Sequence, residues 1–547
     1  VLAIAATAVF VGLLLLPSAL WQFKPYRQLN VWTIDKTVPY PDFREHAGFF
    51  WILKNEKIAK PGARQLYSER SDYFGFYPYG KNEWRGVSMP TSGARPDVIY
   101  ITDTYGVYKD DYMQKRLSSD LSPKLYGALT SDDILTIRRN LGAGNTLISE
   151  FNTAASPTNL SDRLTLGRLL GLNWRGWIGK YFEDLSQGGE VPVWVITNYE
   201  AQNRKKWDYF GRGYVLLSDN DDIMVLSEKE DVGAKGLKFA YQGTWGEKFG
   251  LKEPVSYRYW FEWTVPDAGT ETVAEYHFDL TASGKAKLDA VKLPDTFPAI
   301  IHALNTQYSG WYFAGDFADM QFSATPFKMV GIAAIKRLLA DDTVDSNMYF
   351  YWKAYVPLMR YILAEADSAK AARATIAGEK TEVAVPVRAF GKGFQVRGKD
   401  GVWKDFYIRG VNMGLAEPGK YFTDFPDSVD TYRRWLGQIA DMNANTIRVY
   451  TLPPPEFYKA LLVHNTERPD RALYLLQELW PEENPANGDY LAADYQAAYF
   501  KEIDYGIDAV YGRANIPERK WRAWGIYSAD VSRWLLGWLV GRELESE

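Results

Sequence analysis

Asn445-Thr-Ile-Arg-Val-Tyr450 is a short run of β-formers with an arginine inside it and a tyrosine at its end. It reads as a buried strand. Upstream, Phe406-Tyr-Ile-Arg-Gly-Val-Asn-Met413 reads as another strand. Between the two, Tyr432-Arg-Arg-Trp-Leu-Gly-Gln-Ile-Ala-Asp-Met442 places Trp435, Leu436, Ile439 and Met442 on one helical face. Downstream, Pro455-Glu-Phe-Tyr-Lys-Ala-Leu461 opens a helix with proline at its entry. Ala472–Gln477 then reads as a third strand, Tyr495–Ala509 as a helix and Leu535–Val540 as a fourth strand. Strand and helix alternate, and polar groups collect at the C-terminal end of each strand. The pattern over 382–547 predicts the N-terminal half of a TIM (β/α)8 barrel, with a site at those strand ends.

Three pieces of this region resemble the clan A glycoside hydrolases, which include family 2 β-glycosidases and β-1,3-glucanosyltransferases. They are the hairpin feeding Arg409-Gly-Val-Asn412, the strand Asn445–Tyr450, and Gly537-Trp-Leu-Val-Gly-Arg-Glu543. The resemblance implies that Glu543 is the general acid/base and that Arg448 sits beside the catalytic carboxylates. Asn412 and Tyr450, at the ends of strands one and two, then line the substrate. Where the family carries an asparagine before the acid/base, this chain has Arg542. A retaining enzyme of this type needs a second carboxyl about 5–5.5 Å from the first. The family places that nucleophile on strand seven, whereas this chain stops after strand four, against roughly 250 residues for a typical barrel. The expectation is therefore a fragment with its nucleophile beyond the C-terminal end. Without the resemblance, Glu543 is one acid of a solvated terminal cluster with Glu545 and Glu547, and Arg448 is half of an ion pair.

At the other end, Val1–Trp21 carries no charged residue. As a helix it would span about 31 Å, enough to cross a hydrocarbon core, and Trp21 fits an interfacial anchor. A single N-terminal transmembrane helix with the bulk of the chain extracytoplasmic is the expected localisation, with a cleaved signal peptide as its competitor. Residues 22–95 read as an aromatic-rich docking segment. In 96–320, the run Pro96–Thr104, the helix opened by Ser131-Asp-Asp133, and Asn145–Phe151 form a β-α-β unit, so a Rossmann-like α/β domain is expected. Val191–Ile196, Gly213–Ser218, Val255–Phe261, Thr272–His277 and Gly310–Asp316 read as further strands, and 321–381 as a helical linker. The α/β domain resembles the class I glutamine-amidotransferase fold, in which a cysteine stands at a strand-to-helix elbow. Here one such strand end carries Glu150-Phe-Asn152, and glutamine hydrolysis is excluded. Asp103, Glu150 and Asp316 all fall at strand ends, where open sheets bind ligands or where polar termini simply meet water.

Composition narrows the function. The 547 residues include no cysteine and four scattered histidines (His46, His277, His302, His464), so neither a metal-ligating set nor a cofactor is expected. The formal net charge of −5 gives no footprint for nucleic acid. Aromatics make up 15% of the chain, a surplus that suits stacking on sugar rings. The expected function is a membrane-anchored glycoside hydrolase or transglycosidase acting on a polysaccharide or oligosaccharide. The alternative is a non-catalytic carbohydrate-binding or scaffold subunit of a polysaccharide synthesis or export system.

Overall fold

The computed structural model describes residues 15–79, 83–113, 122–142, 144–304, 307–321, 325–373, 386–398, 401–483, 485 and 488–542. These divide into two compact units. Unit one takes the described residues within Val1–Ala128, Asn140–Thr158 and Gly167–Glu379; unit two takes those within Leu129–Arg139, Asn159–Leu166 and Lys380–Glu547.

Unit one is built on a ten-stranded mixed sheet. Its order is Val255–Ser256, Val232–Tyr241, Thr270–Leu280, Thr296–Leu304, Tyr308–Phe313, Asn145–Glu150, Val98–Asp103, Val31–Asp35, Phe74–Pro78 and Trp84–Val87. Five neighbouring strands, from Tyr308–Phe313 to Phe74–Pro78, run parallel. The rest pair antiparallel. A Rossmann-like sheet was expected here, and the mixed sheet corrects that. Between Leu304 and Tyr308 there are too few residues for the crossover of a dozen or more that a parallel pair requires, so the chain returns antiparallel. A second, four-stranded antiparallel sheet holds Ile223–Ser227, Gly213–Ser218, Leu172–Phe182 and Trp260–Pro266. Val191–Ile196 is not a strand either: Pro192 stands at the N-cap of a helix over Val193–Asn203, which buries Val195, Ile196 and Tyr199.

The transmembrane helix and membrane localisation are also corrected. Among the described residues no helix is long and apolar enough to cross a membrane. Residues 1–14 of the expected span lie outside the described residues, while 15–23 are helical. Trp21 is 3% exposed and so does not sit at a lipid interface. Its indole N–H donates to the Asn55 carbonyl at 3.0 Å, its ring meets Phe327 at 5.9 Å, and the Lys57 ammonium lies 4.7 Å from its centre. The apolar segment thus ends docked on the helix Arg44–Asn55 of unit one.

Unit two has a three-stranded antiparallel sheet (Val387–Phe390, Gly393–Arg397, Trp403–Phe406) and a parallel four-stranded sheet. The latter runs in chain order: Gly410–Asn412, Thr446–Val449, Tyr474–Leu479, Leu535–Val540. Helices Val429–Asp441, Pro455–Glu467 and Ala493–Val510 separate its strands along the chain. Tyr432, Leu436, Phe457, Tyr458, Leu461 and Val510 are buried in its core. A truncated barrel was expected, and an open sheet is found. Closure needs the first and last strands to pair, whereas Gly410–Asn412 and Leu535–Val540 are the two edges of this sheet among the described residues.

Candidate functional site

In unit two, parallel pairing brings four strand ends to one side. The chain leaves the first strand as Met413-Gly-Leu415, the second as Tyr450-Thr-Leu452, the third as Trp480-Pro-Glu-Glu483 and the fourth towards Arg542. All of these line a cavity of about 640 Å³. The helix Ala493–Val510 adds Glu502, and the loop residues Arg519–Ala523 complete the wall together with Phe422, Thr423 and Phe425.

Five of the described lining residues carry aromatic rings: Phe422, Phe425, Tyr450, Trp480 and Trp521. Tyr450 and Trp480 meet at 5.9 Å between ring centres, and the Arg542 guanidinium stacks 4.6 Å from the Trp480 ring. At the rim, Phe422 is 71% exposed and Trp521 62%; Tyr421 lies 6.1 Å from Trp521. Trp521 also has a φ of +61°, a left-handed backbone that a bulky side chain rarely adopts. An exposed indole on strained backbone is unfavourable twice over, and such strain concentrates at functional sites.

The carboxylates of the cavity are each tied to a guanidinium. Glu502 receives Arg519 at 2.5 Å and Arg522 at 3.0 Å. Arg522 also reaches Glu482 at 2.5 Å, and Arg542 reaches Glu483 at 3.2 Å. Two donors in the same wall have no acceptor: the indole Nε1 of Trp480 and Nε of Arg542 are buried and unpaired.

Of the residues expected from sequence, Tyr450 lies in the cavity wall. Arg448 lies next to the wall rather than in it. It grips Glu478 on the adjacent strand with Nη2 at 2.9 Å and Nε at 3.1 Å, while its guanidinium sits 5.1 Å from the Tyr450 ring. Glu478 is 7% exposed, so this is a forked pair with one partner sunk between strands. Asn412 is exposed on the edge strand, paired in register with Arg448. Glu543 lies outside the described residues. Sequence reading missed Trp480, Glu478, Glu502 and Trp521; the usable signal was Trp480-Pro-Glu-Glu483, an aromatic and two acids directly after a strand.

Unit one gathers acids as well. Its parallel strands end in Asp35, Asp103 and Glu150, with Asp316 and Asp319 following the fourth, and all five are buried. Burial pushes Asp103 up to about 8, aided by the negative charges of Asp35 and Asp319 and opposed by hydrogen bonds from Tyr105 N–H and the Thr37 hydroxyl. Burial likewise raises Glu150, which accepts from the Phe317 and Ala318 N–H groups at 2.9 and 3.1 Å, and Asp316, beside Asp319. Asp319 is held by Arg44 and Tyr259, both at 2.5 Å. His46 bridges Asp35 at 2.5 Å and the Glu69 carbonyl at 2.8 Å. Among the described residues no group of three or more His, Asp or Glu side chains is placed to hold a metal ion.

No family model, no curated protein and no solved structure matches this chain.

Proposed function

We propose that the cavity of unit two binds a stretch of oligosaccharide and that the protein hydrolyses or transfers glycosidic bonds of a polysaccharide, with Glu543 as the acid/base. The observation that carries this reading is the ring-lined cleft at four parallel strand ends, with Trp521 held exposed on strained backbone. Flat rings flanked by hydrogen-bonding groups match the two surfaces of a sugar, an apolar face and a hydroxyl edge. Glu543 follows directly in sequence on Arg542, which lines the cleft.

A second reading, glycan binding without catalysis, is favoured by one observation: Glu482, Glu483 and Glu502 are each committed to arginine. A general acid has to keep a proton to give, and a guanidinium partner favours the charged form. The test compares the whole chain with Trp480→Ala and Glu543→Gln on a panel of oligosaccharides. Titration calorimetry should show Trp480→Ala weakening binding about tenfold or more. Glu543→Gln should abolish release of reducing sugar while keeping affinity. Binding without turnover in the unsubstituted protein selects the second reading, and absence of binding to every glycan rejects both.

A further inference from the structure

We infer that the glycan taken by this cleft is an acidic one, carrying carboxylate or comparable anionic groups along its length. This deepens the proposed function and rests on it. The charge pattern of the wall is the first ground. Among the described lining residues stand four cations, Arg519, Lys520, Arg522 and Arg542, and three acids, Glu482, Glu483 and Glu502. The acids are consumed by the three arginines. Among the described residues Lys520 is left over: its ammonium lies 5.3 Å from the Trp521 ring centre and is exposed, with no described carboxylate paired to it.

Hydrogen bonding points the same way. Trp480 Nε1 and Arg542 Nε are donors without acceptors, on side chains stacked against one another. A buried donor left unpaired is costly, and an acceptor oxygen brought by a ligand would remove that cost. The wall therefore offers the positive charge of Lys520, with its three described carboxylates already paired to arginine. A neutral glycan would fill the rings but leave Lys520 unanswered. A glycan with an anionic group at one sugar edge would stack on Trp521 and present oxygens to the ammonium above it.

Titration calorimetry on the full chain tests this with three probes of equal length: a hexuronate oligosaccharide, a sulfated oligosaccharide and a neutral gluco-oligosaccharide. At low salt the acidic probes should bind about tenfold tighter than the neutral one. That advantage should shrink as salt rises to about 0.5 M, because charges on an exposed rim are screened. Lys520→Met should remove most of the difference between acidic and neutral probes, and Lys520→Arg should restore it. Preference for the hexuronate or for the sulfated probe identifies which anionic group the cleft is built for. Equal affinity for all three, unchanged by Lys520→Met, overturns the inference and leaves glycan binding standing. No binding of any probe overturns the inference together with the reading beneath it.

Discussion

At the scale of single residues, Trp521 makes the sharpest case that unit two is shaped for a ligand. A left-handed backbone is disfavoured by about 1–2 kcal/mol for a residue with a Cβ, and Trp521 holds it while 62% of its surface faces water. Its described ring contacts are with Tyr421 at 6.1 Å and the Lys520 ammonium at 5.3 Å, both at the rim of the cleft. Trp521→Gly removes both the strain and the ring, so stability and binding should move apart. The urea midpoint should hold steady or rise by the equivalent of up to about 1 kcal/mol, while oligosaccharide affinity falls about tenfold. A variant that unfolds earlier yet binds as before would show that the indole serves the fold instead. Arg448 teaches the opposite lesson. Its place beside a carboxylate was legible in the sequence, but the carboxylate is Glu478, and the pair ties two strands together at the edge of the site.

Among elements, the helix Ala493–Val510 matters most, because it delivers Glu502 to the arginine cluster. It ends at Gly512, whose φ is +61° and where an added Cβ would meet the Ser528 oxygen at 2.6 Å and the Asp530 nitrogen at 2.7 Å. These are backbone atoms that cannot swing aside. Gly512→Ala should therefore cost roughly 2–4 kcal/mol from the left-handed conformation and the clash together. Thermal unfolding followed by tryptophan fluorescence should show the early loss, and a midpoint unchanged from the parent would refute it. Much of this element level was legible in the sequence, since the helices Val429–Asp441 and Ala493–Val510 follow apolar periodicity and the strands Thr446–Val449 and Leu535–Val540 lie in short runs of β-branched or apolar residues. Val191–Ile196 misled because its β-branched run is read locally, whereas burial of Val195, Ile196 and Tyr199 on one side settles it as a helix. The site was legible only in part for a related reason. Strand three reads as ending at Gln477, but it continues to Leu479, so the mouth of the site receives Trp480 and the two glutamates after it. Arg519–Trp521 arrive from a loop without any periodic signature. Strand order in the ten-stranded sheet rests on pairings between distant segments, such as Tyr308–Phe313 with Asn145–Glu150, which no local pattern announces.

On the scale of the whole molecule, compact units do not follow chain order. Segments Leu129–Arg139 and Asn159–Leu166 belong with unit two, where Arg138 pairs with Asp530 at 2.9 Å and Asp162 accepts from the Ser528 hydroxyl at 3.0 Å. A linear reading of domains has no means of seeing such an exchange. Unit one, for its part, contributes to the pH response of the folded chain through its buried acids. Asp103 and Glu262 are both pushed up to about 8, mainly by burial. In the unfolded chain such groups lose their protons near pH 4. Between about pH 4 and pH 8 the folded protein therefore holds protons that the unfolded chain has released. The stability these groups contribute is fully present below about pH 4 and is lost as pH rises towards 8. At about 1.4 kcal/mol per pKa unit, each group carries on the order of a few kcal/mol across that window. His302, pushed down to about 4 by burial, contributes with the opposite sign below its ordinary value, and that contribution is common to any pair of variants compared. Asp103→Asn keeps the side-chain oxygen that accepts from Tyr105 N–H and the Thr37 hydroxyl, yet has no proton to lose. Urea unfolding at pH 5 and pH 8 should show the parent losing clearly more stability between the two than Asp103→Asn does, by roughly 2 kcal/mol or more. Equal losses in the two proteins would mean that Asp103 is ionised in the fold, and would overturn the prediction.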